Sequence, residues 1–359
     1  MSMLGAIAGA LGEARRPRLA QLVRQAQPLG PTDLVLFQCS KGRGAKMAPA
    51  APSIKPVLQL NPFPVTLRPQ NYADPLSSAN PGGSLAALWA FRQLVDPVPV
   101  FGPFYAASLA STESVYRQIA KGARMVGDNP FVASVIAEAQ RAVAEAQAYT
   151  NLDRTAGSWL PVQPMPGDWS MARDAYDDLA IDLSGPDAGN GAFTLLGDAH
   201  TDLKLHIGGS RGRALGVSGA GGGARAGSVA RSQALGPGTT MREVKMKYLT
   251  VSLGRPWLNA MLFSTSGWTL AGQAPGFCSS GDPRQNAGIL PLIPTELLVA
   301  VEVQVDGDWG AADKPLLAAA RAGDHSLAVG PFPIGRESHD ESIHVIGWIS
   351  SFVPRSPQA

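Results

Sequence analysis

The chain has 359 residues, of which 45% are hydrophobic and 16% charged, with a formal net charge of +2. That length can bury a large core, and the near-neutral balance removes any global electrostatic case for nucleic acid or an anionic membrane surface. No window approaches the roughly 18 uninterrupted apolar residues of a spanning helix, and the 40 glycines and 30 prolines favour turns and short strands.

Residues 1–54 read as an arm and linker. A short apolar run precedes Arg15, Arg16 and Arg18, the reverse of the charge order in a secretory signal, which favours a cytoplasmic location. Pro17 opens a short helix with Leu19, Leu22 and Val23 on one side. Residues 33–39 (DLVLFQC) read as a buried strand, followed by a basic, Pro/Ala-rich linker. Residues 55–359 then form one α+β domain, which starts with a short strand, KPVLQLNPFP, ended by its prolines.

Residues 84–150 carry the helical layer. The first helix places Leu85, Leu88, Trp89 and Val95 on one side and stops at Asp96-Pro97. The second starts at Ser111, with Glu113 in its first turn and Val115, Ile119 and Ala120 inward. The third has Asn129 as cap, Pro130 in its first turn and a stripe of Val132, Val135, Ile136, Ala139 and Val143.

Residues 155–353 are β-rich. Asp168, Asp174, Asp177, Asp178 and Asp182 read as a solvated acidic turn, since they lack the calcium-loop spacing. Leu297, Val299, Val301, Val303 and Val305 share one parity against Glu302, Gln304 and Asp306, the pattern of an antiparallel strand with one wet face. Residues 242–253 change parity between Tyr248 and Leu249, which calls for a bulge there or a strand that leaves one sheet for another. Trp257 and Trp268 read as corner packing. Residues 343–352 are apolar on both parities, as a central strand is. The fold expected is a bent antiparallel sheet or sandwich-like β assembly with the helical layer against it.

Chemistry has few candidates. His200, Asp202 and His206 alternate along one strand face and are the candidate metal ligands, with His325, His339 or His344 to complete a shell. Lys204 stands in the middle of that stripe and would repel a cation, so an ordinary wet face is the weightier reading. Ser210 sits in a G-x-S-x-G match, but a glycine-rich run rather than a helix follows it. Residues 208–238 hold Arg211, Arg213, Arg225 and Arg231 and no acidic residue, and read as a flexible Gly/Arg-rich insertion able to meet an anionic partner or a neighbouring subunit. Cys39 and Cys278 are too few for a disulfide framework, and their pairing is left open.

No convincing catalytic constellation emerges. The sequence therefore points first to a non-catalytic binding or assembly protein, a possible homo-oligomer, that uses its basic arms. The alternatives are a metal-dependent enzyme built on the His/Asp strand, and a membrane-interacting protein using the N-terminal arm and the Gly-rich loop.

Overall fold

The computed structural model describes residues 56–77, 79–102, 104–152, 160–182, 192–195, 205–206, 214–219, 231–234, 236–322, 325–334 and 342–358. The described chain opens with β1 (Pro56–Leu67), α1 (Leu85–Val95), β2 (Pro97–Pro99), β3 (Ala107–Ser111), α2 (Thr112–Gly122), β4 (Ala123–Met125) and α3 (Pro130–Leu152). Short strands follow: β5 (Gln163–Met165), β6 (Asp177–Asp182), β7 (Ala192–Leu195), β8 (Leu205–His206), β9 (Ala214–Gly219) and β10 (Arg231–Ala234). The last part holds β11 (Thr240–Gly254), α4 (Met261–Ser264), β12 (Trp268–Leu270), β13 (Leu292–Asp308), α5 (Lys314–Ala322), β14 (His325–Val329), β15 (Phe332–Ile334) and β16 (Ile343–Phe352).

The architecture is α+β, and the main sheet is not closed into a barrel. Its order is β5-β11-β13-β16-β1-β7-β8, with β6 also paired to β11. Its strands pair antiparallel. A second antiparallel sheet, β10-β9-β14-β15, lies over one face with α5. There Met241, Val244, Met246, Tyr248, Leu298, Ala300 and Val303 pack against Leu317, Leu327, Val329 and Phe332. The opposite face, carrying Leu249, Val251, Leu253, Leu297, Val299, Val301 and Val345, is covered by Phe91 and Val95 of α1 with Tyr105, Trp169 and Tyr176.

Along β11 the two covers are offset. Even positions 244, 246 and 248 face the second sheet; odd positions 249, 251 and 253 face α1 and Trp169. The parity change read from the sequence is therefore a change of cover, with no break at Tyr248 and Leu249. The bulge lies on the partner strand. Lys245 pairs with Gln304 and Lys247 with Val301, so Val303 and Glu302 together oppose Met246. Glu302 takes φ +54° to make that extra residue fit. This corrects the valine ladder: Leu297, Val299 and Val301 face α1, whereas Val303 and Val305 are turned to the second sheet.

The same crease crosses the neighbouring strands. Between Leu298/Gly347 and Val299/Val345, β16 has one residue too many, and β1 spends Asn61–Pro64 on a wider excursion opposite it. That excursion holds Pro62 and Pro64, so the prolines bend β1 without ending it, and the strand runs on to Leu67. Gly347 is required where the strands close up, because a Cβ there would collide with the Gln59 carbonyl.

The helical layer divides. In α1 the buried positions are Ala87, Phe91 and Val95, while Leu85 and Trp89 stay exposed, so the inward stripe is rotated from the one expected. Helices α2 and α3 build a separate core with Trp257, Leu262, Phe263, Trp268 and Leu290, using all five residues of the expected α3 stripe. Ser111 caps α2, and Asn129 accepts from the Phe131 N–H at 3.1 Å. Within 208–238, residues Ala214–Gly219 and Arg231–Ala234 are paired strands, β9 joining β14, so these ten residues are not loop. Backbone pairing supplied by β14 is invisible to composition.

β16 lies between β13 and β1, the central place its two apolar faces implied. A chain ending at Glu341 should lose cooperative thermal unfolding, as followed by circular dichroism. Glu302→Gly should change stability by less than about 0.5 kcal/mol, whereas Glu302→Val, β-branched at positive φ, should cost about 1–2 kcal/mol in urea unfolding.

Candidate functional site

The best-formed cavity among the described residues is an open cleft of about 850 Å3. Three pieces wall it: the β2–β3 hairpin, the C-terminal half of α2 and the connection between β12 and β13. Val98, Phe101, Ile119, Leu270, Phe277 and Ile289 make it largely apolar. Gln118, Gln273 and Gln285 bring amide groups to its edge, and Arg124 is the charged residue among the described lining. Asn286 also lines it, but that amide is used internally: Nδ2 donates to Pro291 and Val353 carbonyls, and Oδ1 accepts from Ser279 and Ser280. Its volume falls within the range of small-molecule clefts.

The hairpin wall is pinned at its root by buried charge. Asp96 ends α1, and its Oδ2 accepts from Ser111 Oγ at 2.6 Å and Arg92 Nη2 at 3.4 Å, while Oδ1 accepts from the Glu113 N–H at 3.1 Å. The last contact satisfies an otherwise orphan amide in the first turn of α2. Glu113 is itself buried and accepts from Arg92 Nη2 at 2.6 Å. Burial pushes its carboxyl above the usual glutamate range, and Arg92 pulls it back only in part.

Arg255, immediately after β11, ties the same root to the sheet. It donates from Nη2 to the Val95 carbonyl at 2.8 Å, at the C-terminus of α1, and from Nη1 to the Pro294 carbonyl. Burial lowers its guanidinium to about 10, against the opposing pull of Asp96 and Tyr105, so it is cationic at neutral pH.

The tip of the hairpin rests on the sheet through Gln59, Tyr105 and Phe101. Gln59 Nε2 points at the carbonyls of Val100, Gly102 and Phe104 at 2.9, 3.1 and 3.4 Å. Tyr105 stacks on Trp348 with ring centroids 3.5 Å apart, and its N–H donates to the Leu60 carbonyl at 2.9 Å. Phe101 meets Phe352 edge-on at 6.1 Å.

Of the residues singled out by sequence, His200, Asp202, Arg211, Arg213, Ser210 and Arg225 lie outside the described residues, as does His339. The backbones of His206, Arg231 and His325 fall in β8, β10 and β14, and β8 pairs with β7. His344 is buried in β16 with Nδ1 3.2 Å from Thr66 Oγ1. Among the described residues no group of three or more His, Cys, Asp or Glu is placed to hold a metal. Trp257 and Trp268 are fully buried, and Trp257 donates to the Pro161 carbonyl at 2.7 Å, so both serve the core. No helix among the described residues is long and apolar enough to cross a membrane.

The ion cluster went unread because its members stand alone in the sequence. Asp96 registered as a helix stop and Glu113 as a first-turn acid; nothing in either position announces Arg255. The available signal was the pair of caps at Asp96 and Ser111 flanking a Pro-rich hairpin. No protein-family model, curated protein or solved structure matches the chain.

Because Glu113 titrates higher in the folded state than in the unfolded chain, the folded state holds more protons between the two values. Stability contributed by this group should therefore fall as pH rises from the ordinary glutamate range through the raised one. Glu113→Gln should abolish that slope in denaturant titrations run at successive pH values.

Proposed function

We propose that the chain is a non-catalytic binding protein and that the cleft between the β2–β3 hairpin, α2 and the β12–β13 connection is its binding site. The observation that carries this reading is the cleft's composition: apolar walls over about 850 Å3, with three exposed glutamine amides at the edge. Apolar walls supply non-directional affinity, and amides orient a ligand that has hydrogen-bonding groups. The charged cluster beneath supports the same reading, since Arg92, Asp96, Ser111 and Glu113 fix one wall of the cleft and do not line it.

Assembly through the basic segments is the second part of the proposal. It rests on composition, namely four arginines and no acidic residue in 208–238, which suits an anionic partner or neighbouring subunit. Replacing Arg211, Arg213, Arg225 and Arg231 by Gln should abolish large oligomers in light scattering and leave thermal unfolding unchanged. Identical scattering from the two proteins would remove that part.

The cleft is tested with a neutral apolar dye such as Nile red. Its emission should rise on the native protein, and Ala271→Trp, which fills the cleft from an exposed position, should weaken binding about tenfold or more, equivalent to about 1.4 kcal/mol. An unaltered titration with that variant would place the dye elsewhere and end the reading.

A further inference from the structure

We propose that Arg255, Trp348 and Ser350 form a seat for the carboxylate of an apolar acid bound in the cleft, and that the seat opens when the β2–β3 hairpin lifts from the sheet. The inference rests on the cleft being the binding site and adds the class of ligand. Its basis is a row of buried polar atoms under the hairpin that have no hydrogen-bond partner: Gln59 Oε1, Trp348 Nε1, Ser350 Oγ and Arg255 Nε. Gln59, Trp348 and Ser350 are each 3% exposed or less.

These groups are neighbours. Gln59 and Trp348 are direct cross-strand partners. Ser350 lies two residues beyond Trp348, hence on the same face about 7 Å away. Ser350 also pairs with Pro294, whose carbonyl holds Arg255 Nη1. Tyr105 closes the ring, stacked on Trp348 at 3.5 Å and electrostatically coupled to Arg255.

Native proteins leave few buried polar atoms unpaired, because each loses its water without replacement. Three of the four are N–H or O–H donors, one of them on a cation, so an oxygen anion completes those three, while Gln59 Oε1, an acceptor, takes a water hydrogen once the row is hydrated. The hairpin carries both surfaces. Val98, Pro99, Val100 and Phe101 line the cleft, and the carbonyls of Val100, Gly102 and Phe104 take the Gln59 amide on the sheet side. That amide has two hydrogens for three carbonyls, and the Tyr105–Trp348 stack, the Tyr105 N–H bond to Leu60 and the Phe101–Phe352 contact part with it when the tip lifts, while the Asp96 cluster keeps the root in place. Lifting the tip hydrates the row and joins it to the cleft. Arg124, in β4, is the competing cation, but it is exposed and donates at 2.8 Å to the Lys121 and Ala123 carbonyls at the C-terminus of α2. Water weakens a carboxylate contact there.

The experiment is displacement of Nile red by decanoate and by 1-decanol at pH 7.5. Decanoate should bind about tenfold tighter than decanol, and Arg124→Gln should keep that ratio whatever it does to either affinity. The double variant Trp348→Phe/Ser350→Ala should bring the ratio to one. The single variant Ser350→Ala should melt at or above the native temperature, because the hydroxyl it removes has no partner to lose, whereas Trp348→Phe also gives up indole packing on Tyr105. Equal binding of acid and alcohol by the native protein, a ratio lost in Arg124→Gln or kept in the double variant, or a lowered melting temperature in Ser350→Ala would each overturn the seat. If the alcohol binds and the acid has no advantage, the cleft reading survives alone; if neither displaces the dye, both fall.

Discussion

A sheet whose two long strands, β11 and β13, are covered on opposite faces at different points along their length must have its side chains redirected within single strands. The bulge at Glu302 does this in β13: it sends Leu297, Val299 and Val301 to α1 and Trp169, and Val303 and Val305 to the second sheet. The irregularities in β16 and β1 carry the same crease across the sheet. Without them one cover would meet Gln304 and Asp306 where it now meets valines. Burial of each such valine contributes about 1.5–3 kcal/mol, so the crease decides which layers can pack at all.

The crease also sets the place of the hairpin. Where β1 departs from β16 around Asn61–Pro64, the strands admit residues 100–102, 104 and 105 against Gln59, Leu60 and Trp348. Asn61, buried in the excursion, donates to the Val345 carbonyl at 2.8 Å and satisfies a group the bulge would otherwise strand. The hairpin so placed has one side on the sheet and the other on the cleft. Binding surface and sheet geometry are thus linked through a single ribbon of chain.

Buried charge at the root of that ribbon is a matter of positioning. Two carboxylates and two guanidiniums, Asp96, Glu113, Arg92 and Arg255, are largely removed from water, and their mutual attraction offsets a desolvation cost that apolar side chains would not incur. What the ions provide beyond apolar packing is direction. Apart from Arg92 to Asp96, each bond names a partner on another element: the C-terminus of α1, the start of α2, or the start of β13.

Much of the fold was legible in the sequence because it rests on periodicity. The α3 stripe, the start of α2 at Ser111, the Asn129 cap, the burial of Trp257 and Trp268 and the central place of β16 are all local patterns, and the structure has each of them. The sequence also contained the evidence of a bulge, but could not say which strand carried it, because a parity change in β11 and a register slip in β13 leave the same apolar tally. The rotated face of α1, the second sheet's claim on residues 214–219 and the site itself were decided by tertiary contact alone. Arg255 and Asp96 are 159 positions apart (255 minus 96), and Gln59 reaches Trp348 across two strands from opposite ends of the chain. No local rule couples positions so remote; the energy that joins them exists only once the sheet has closed around them.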